Sequence, residues 1–153
     1  MKTAFAVALV VTIIMAGIII PIGYGLVRDV DALIDRAQVA ADREDMIGYL
    51  KELKQNMERH GMTHGHFVLI FTTPANDLAL HFKTVNRALE RLDSIKDIPK
   101  SETTYQVALS DIRGTVRELH NPALGYLWAK YWIFYVIGFG IWLWPVIMIY
   151  SSY

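Results

Sequence analysis

The sequence predicts an all-α membrane protein in which two transmembrane helices flank an extramembrane helical domain. Residues 131–150 contain no charged side chain, and neither do residues 3–27. About 20 helical residues, at a rise of about 1.5 Å each, cover about 30 Å, the hydrocarbon thickness of a bilayer. Between these stretches, apolar residues recur at spacings of three and four, which indicates amphipathic helices. We therefore divide the chain into residues 1–27, 28–122 and 123–153.

The N-terminal segment is typical of a signal sequence, since Met1 and Lys2 precede a long apolar run. A cleaved signal has an apolar core of about 7 to 15 residues, whereas this run continues to Val27. We therefore predict an uncleaved signal anchor. Gly17, Pro21, Gly23 and Gly25 are expected to bend or loosen its outer half, and close helix contact through Gly17 is the alternative role.

Two signals disagree about the orientation of the chain. The signal-like start favours a cytoplasmic N-terminus, which places the central domain outside the cytoplasm. Charge counting gives the opposite orientation, because Arg28, Arg36, Arg117 and Lys130 flank the spans on the domain side, against Lys2 alone on the other. The charge rule weakens for loops longer than about 60 residues, so we expect an extracytoplasmic domain.

The first half of the domain carries two apolar stripes that are out of phase. The stripes comprise Val27, Val30, Ile34, Ala37 and Ala41, then Met46, Leu50, Leu53 and Met57. The change of phase at residues 42–45 predicts a break, with Asp42 capping a second helix. A continuous helix with a rotated buried face is the alternative.

The second half predicts two further helices. Thr73 and Pro74 are typical of a helix start, and the helix should end before Pro99; Ser101 with Glu102 opens the last helix. Asn121 and Pro122 should end this last helix. The apolar stripes of the two helices comprise Leu78, His81, Phe82, Val85, Leu89, Leu92 and Ile95, then Tyr105, Ala108, Leu109, Ile112, Val116 and Leu119. An even number of helices returns the chain to the same membrane face, which favours a four-helix bundle. An extended crossing by residues 67–71 would allow three helices instead.

Aromatic side chains cluster at the second span. All four tryptophans lie in or beside it, and we assign Trp128, Tyr131, Trp132, Trp142 and Trp144 to the membrane interfaces. Stacking of these rings on a cofactor is the alternative role.

Histidine is concentrated before the third predicted helix, and it provides the one candidate metal centre. His64 and His66 flank Gly65, while Asp77 and His81 are four residues apart and share a helix face. Imidazole with nearby methionine suits copper or zinc. In the competing interpretation these side chains are solvated or cap a helix end.

Composition excludes several function classes. The chain has no cysteine, which excludes disulfides, iron–sulfur clusters and thiolate zinc sites. Acidic and basic residues are mixed without a long basic run, so we expect no nucleic-acid partner. We find no nucleophile elbow, phosphate loop or HExxH motif, and we expect no enzymatic activity. Transport is disfavoured because neither span contains an ionisable group.

In topology the chain is similar to the sensory part of bacterial chemoreceptors and sensor kinases, which also place a helical bundle between two membrane helices. Only residues 151–153 follow the second span, so we expect no signalling module. The leading hypothesis is a non-enzymatic, membrane-anchored protein without a cofactor that forms a homo-oligomer or serves as an accessory subunit of a larger membrane complex. Its partner surface would include Phe67, Leu69 and Phe71. The alternative is an extracytoplasmic, sensor-like ligand- or metal-binding module that uses the loop 60–66.

Overall fold

The computed structural model describes residues 2–150, and within them every regular element is a helix. The six α-helices are α1 (Lys2–Leu26), α2 (Ala32–Gln38), α3 (Arg43–His60), α4 (Leu78–Ser94), α5 (Thr103–Arg117) and α6 (Ala123–Tyr150). The helical run that begins with α1 is long and apolar enough to cross a membrane, and so is α6. The prediction of an all-helical chain with two such helices is therefore confirmed.

Helices α1 and α6 pack side by side in opposite directions, and we call this pair the hairpin. Near the domain, a side chain at Gly23 would approach the Leu127 side chain to 3.0 Å, so glycine lets the two helices come close. Farther along, Trp142 Nε1 donates a 2.8 Å hydrogen bond to Thr12 Oγ1. The hairpin is therefore joined by close packing at one end and by a polar contact farther along.

The first helix leaves the hairpin without a break in the chain direction. Pro21 lies inside α1, and α1 continues through a π-helical turn, Val27–Asp31, directly into α2. A π turn departs from the regular α-helical hydrogen-bond ladder. Within it, the Asp29 carbonyl accepts a 2.8 Å hydrogen bond from Asn56 Nδ2 of α3. The backbone at this point is therefore partly satisfied by a side chain from another helix.

The break between α2 and α3 is where the phase change predicts it. Asp42 has an extended backbone, and its carboxylate accepts a 3.0 Å hydrogen bond from the Asp45 amide, so it caps α3. The carbonyl of Ala40 in the same turn accepts hydrogen bonds from the Arg113 guanidinium of α5. The predicted break at Asp42 is thus confirmed, and a continuous helix is excluded.

The four helices of the domain share one apolar core. Helix α2 packs against α3 and α5, and α4 packs against the same two helices. The buried side chains come from the stripes of all four helices and include Leu33, Ile34, Met46, Leu50, Leu53, Met57, Leu78, Val85, Leu92, Tyr105, Leu109, Ile112 and Val116. The predicted buried face of each helix is therefore correct, apart from Ala41, which is exposed while Ala40 is buried.

The start of α4 differs from the prediction. Pro74–Asn76 forms a short 3₁₀ turn, and α4 begins at Leu78. The reason is a second cap: the Asp77 carboxylate accepts hydrogen bonds from the amides of Ala79 (2.8 Å) and Leu80 (3.4 Å), and the Asp77 backbone is extended. The chain therefore turns once after Thr73 and starts the helix four residues later than predicted.

The boundaries around the second span also differ in detail. Helix α5 ends at Arg117, before the predicted stop at Asn121 and Pro122. Helix α6 begins at Ala123, well before the uncharged stretch, and Tyr131 within it has non-helical dihedral angles (φ −110°, ψ 16°). The helix thus changes direction locally at the first residue of that stretch.

We expect Asn56→Ala to lower the free energy of unfolding of the domain by about 1–3 kcal/mol, because it leaves the Asp29 carbonyl unpaired beside the core. The measurement is urea unfolding of the full chain in micelles, followed by far-ultraviolet circular dichroism. Gln55→Ala is the matched control, since Gln55 is the exposed neighbour on the same helix. Equal losses for the two variants would contradict this assignment.

Candidate functional site

The domain joins the hairpin through polar contacts that cross between distant parts of the chain. The buried Asp31 carboxylate accepts a 3.0 Å hydrogen bond from the backbone amide of Ala123, the first residue of α6. A carboxylate is favourable at a helix N-terminus, where backbone amides lack partners. Beside this contact, Asn121 Nδ2 lies 3.4 Å from Asp35 Oδ1. We call the end of the domain at which α1 ends and α6 begins the hairpin end.

Helix α3 returns to the hairpin end. His60 Nε2 lies 3.3 Å from Asp29 Oδ2, and the His60 carbonyl accepts a 2.8 Å hydrogen bond from the Tyr126 hydroxyl. Lys130 Nζ lies 3.5 Å from the same carbonyl. Gly61 then ends the helix in the left-handed conformation, with φ 74°. The loop that follows α3 therefore starts between the two legs of the hairpin.

This loop, residues 61–77, is closed at its base by backbone hydrogen bonds. The Leu78 amide donates to the Gly65 carbonyl at 2.8 Å, and the Phe67 amide donates to the Asn76 carbonyl at 3.1 Å. The two sides of the loop thus pair antiparallel around the His66–Asp77 bridge. Residues 68–75 extend beyond this base, and the backbone hydrogen bonds at the base hold their two ends together.

The loop lies directly against the start of α6. A Cβ atom built on Gly125 would stand 2.5 Å from the Phe67 carbonyl oxygen and 2.9 Å from the Phe67 ring, so only glycine fits there. The ring of Phe67 also packs edge-on against His81, with ring centroids 5.4 Å apart. Phe67 is therefore a partly buried anchor that fixes the base of the loop between α4 and α6.

Three consecutive side chains in the middle of the loop, beyond its base, are open to solvent, and we call residues 69–71 the apolar tip. Leu69, Ile70 and Phe71 are 53%, 69% and 86% exposed. Phe71 has φ 59°, a left-handed conformation that a bulky residue rarely adopts. The buried Asn76 holds it there, since Asn76 Nδ2 donates a 3.0 Å hydrogen bond to the Phe71 carbonyl. The tip is therefore fixed at its outer end as well as at its base.

The expected partner surface of Phe67, Leu69 and Phe71 is thus divided. Leu69 and Phe71 are exposed, whereas Phe67 is partly buried and packs against the core. Ile70, which the sequence analysis did not select, is exposed between them. A continuous apolar run has no alternation that would show which side chains point outward, so the sequence held no signal for this division.

Three of the four candidate metal ligands, Asp77, His81 and His64, have other partners. The Asp77 carboxylate caps α4, and His81 Nε2 lies 3.0 Å from the Ala75 carbonyl. His64 and His66 are exposed, and His64 Nδ1 lies 3.1 Å from the Thr63 hydroxyl. Across the described part of the chain, no group of three or more histidine or acidic side chains is arranged to hold a metal ion. Metal binding through Asp77 Oδ1 or His81 Nε2 would displace these contacts.

The aromatic residues assigned to the membrane interfaces lie in different surroundings. The Trp128 ring stacks on Tyr135 with centroids 4.0 Å apart. Trp132 and Trp144 are exposed, whereas Tyr131 is partly buried against the core. Trp142 turns toward α1, where it hydrogen-bonds Thr12.

An apolar groove runs between the two legs of the hairpin. It has a volume of about 260 Å³ and is lined by Thr12, Met15, Ala16, Ile19, Ile20, Phe134, Tyr135, Gly138, Phe139 and Trp142. A Cβ atom on Gly138 would contact Met15 at 3.5 Å, so this glycine is already part of the packing between α1 and α6. Gly17 and Gly140, by contrast, face open space. The outer faces of both helices therefore contain small residues that the hairpin itself does not use.

These observations define a class: an all-helical chain in which a helical domain lies between two helices apolar enough to cross a membrane. Comparison of the chain with protein-family models, curated proteins and solved structures gave no match. The function therefore has to be inferred from these surfaces.

One titratable side chain at the base of the loop should make the domain sensitive to acid. Burial lowers the pKa of His81 below its usual value, and His120 adds to this effect, while the Ala75 carbonyl and Asp77 oppose it. A histidine with a depressed pKa stays neutral in the folded state, whereas the unfolded chain binds the proton more readily. Stability is therefore lost as the pH falls below the usual histidine pKa of about 6.5.

Asp31 opposes this loss between pH 7.5 and pH 5, because burial raises the pKa of its carboxyl to about 6 and the folded state therefore binds that proton more readily than the unfolded chain. We therefore expect the change in urea midpoint from pH 7.5 to pH 5, measured on the full chain in micelles, to be more favourable for His81→Gln than for the native protein. His64→Gln is the control, because His64 is exposed and contacts only its neighbour Thr63. If the urea midpoint changes equally between the two pH values in the native protein and in His81→Gln, groups other than His81 cause the pH dependence.

Proposed function

We propose that this chain is a non-enzymatic structural protein of a membrane, which assembles through its spans with copies of itself or as an accessory subunit of a larger membrane complex. In this proposal α1 and α6 cross the bilayer and the four helices α2–α5 form a bundle outside it. The signal-like start places that bundle outside the cytoplasm.

The membrane position is supported by the surface of the hairpin. Its exposed side chains are large and apolar along both legs, for example Ile13 and Ile14 on α1 and Phe139 and Ile147 on α6. A water-soluble protein rarely leaves so large an apolar surface uncovered. In a bilayer the same surface faces lipid or another helix, and every backbone group within a helix is already paired.

The single observation that carries the assembly proposal is the groove between α1 and α6. Lipid chains are as apolar as the spans, so helices associate in a bilayer through close packing at small residues. The groove offers such a recess at Ala16 and Gly138, and the ring of Phe139 at its wall is 67% exposed. One copy thus presents both a recess and an exposed ring, the elements that a self-complementary contact requires.

The polar groups of the domain support a structural role. The partly or fully buried Asp31, Asn56, Asn76 and Asp77 each form a hydrogen bond that fixes a helix or loop. Asp31 and Asn56 hold the domain to the hairpin, whereas Asn76 and Asp77 fix the loop and the start of α4. The domain would therefore serve as a rigid unit on its two spans.

The test is the mass of the native particle, measured by mass spectrometry of the full chain released from nanodiscs. We expect a discrete multiple of the chain mass, or a particle that contains a larger partner. Phe139→Ala should raise the dissociation constant of the self-assembly by about tenfold, which corresponds to about 1.4 kcal/mol.

Val136→Ala is the matched control, because Val136 is exposed on α6 but does not line the groove. Förster transfer between labelled copies in liposomes, measured as a function of protein-to-lipid ratio, gives the dissociation constants. Single chains at every ratio and in native membranes would contradict the assembly proposal. A loss that is equal in the two variants would contradict the role of the groove.

A further inference from the structure

The apolar tip belongs to a loop that is anchored at the hairpin end of the domain. The loop starts after His60, which lies beside Asp29, and at its base the Phe67 carbonyl rests against Gly125 of α6. Asp29 follows the first span and Gly125 precedes the second. The loop therefore leaves the domain on the side from which the two spans depart.

The composition of this loop matches that position. Residues 67–76 contain no charged side chain, although every Asp and Glu of the chain lies between Arg28 and His120. Basic side chains lie nearby, since Arg28 follows the first span and Lys130 Nζ reaches the Tyr126 hydroxyl at 3.1 Å. Apolar residues next to basic ones are typical of segments that lie in a membrane interface.

The distances permit contact with the bilayer. Tyr131, the first residue of the uncharged stretch, lies six residues beyond Gly125, which is about 9 Å along a helix. The tip lies up to four residues beyond Phe67, a reach of up to about 13 Å in extended chain. This upper limit exceeds the distance along α6, so the connection is long enough for the tip to stand level with the start of the uncharged stretch.

We propose that Leu69, Ile70 and Phe71 form a third membrane contact, a wedge that inserts among the headgroups and upper acyl chains of the leaflet next to the domain. This inference rests on the proposed membrane insertion of α1 and α6, but not on their self-assembly. The occupant is lipid, because the base of the loop packs against Gly125 of α6, which holds the loop on the side of the domain from which the spans depart in every copy.

The fixed shape of the tip favours this contact. The hydrogen bond from Asn76 to the Phe71 carbonyl and the 2.9 Å bond from the Thr73 amide to Asn76 Oδ1 hold the loop in one conformation. The exposed side chains are thus preorganised, and insertion does not require the loop to fold on binding. The wedge would fix the tilt of the domain relative to the membrane.

The absence of cysteine from the chain allows a direct test with single labels. Ile70→Cys, Val39→Cys and Val136→Cys each replace an exposed apolar side chain, at the tip, at the far end of the domain and within α6. Each variant is labelled with the fluorophore NBD and placed at one copy per nanodisc of phosphatidylcholine, with or without bromine on the acyl chains. We expect brominated lipid to quench the labels at positions 70 and 136, but not the label at 39.

The outcomes separate this inference from the proposed function. An unquenched label at position 136 would overturn membrane insertion, and the wedge with it. Quenching at 136 without quenching at 70 would overturn the wedge alone. A blue-shifted label at 70 that brominated lipid does not quench, and that changes with the number of copies per disc, would show that the tip binds protein instead.

A second variant tests whether the three side chains cause the insertion. Thr72→Cys places a label next to the tip, and we compare its quenching with and without Leu69→Ser, Ile70→Ser and Phe71→Ser combined. We expect the triple change to reduce the quenching at least about threefold. Val107→Ser, an exposed change on α5, is the control and should leave it unchanged. Equal quenching with and without the triple change would overturn the proposed role of these side chains.

Discussion

Where the chain leaves the apolar hairpin, its polar backbone groups must find partners, and the structure meets this requirement with side chains from distant helices. Asn56 of α3 pairs with the Asp29 carbonyl in the π turn, and the Asp31 carboxylate pairs with the first amide of α6. These two bonds bring α1, α3 and α6 to one point. An unpaired buried polar group costs far more than the same group exposed to water, so this junction fixes how the domain stands on the hairpin. The junction also positions the loop 61–77, because α3 ends there and the loop follows it.

The parts of the fold that follow local rules could be predicted from the sequence. Helical periodicity identified the buried face of each domain helix, and the cap at Asp42 needs only the Asp45 amide three residues away. The contacts that position the candidate site join residues far apart in the chain. The bond between Asp31 and Ala123 spans 92 positions, and neither residue carries a local pattern that selects the other. The π turn was also missed, since its apolar residues continue the periodicity of an ordinary helix.

At the candidate site, too, the sequence pattern did not show which partners the side chains would have. Asp77 and His81 were grouped because they share a helix face, and they do lie on neighbouring turns. Each is occupied by a nearer backbone partner, which the spacing of ligand-type residues does not reveal. Residues 67–71 are uniformly apolar, yet Phe67 is packed against the core while Phe71 is exposed. The close approach of the Phe67 carbonyl to Gly125 and the packing of the Phe67 ring against His81 explain why Phe67 is buried while the residues after it are exposed.

The unbroken passage from α1 through Val27–Asp31 into α2 means that the number of residues in this passage is constrained, in addition to the identity of Asp31. Successive residues in an α-helix are rotated by about 100° around its axis. Removing one residue from the turn would therefore rotate α2 by roughly that angle and move Leu33 and Ile34 out of the core. The orientation of the domain about the helix axis is thus coupled to that of the hairpin. A substitution in this turn would alter the contacts of one side chain, whereas an insertion or deletion there would need compensation throughout the domain.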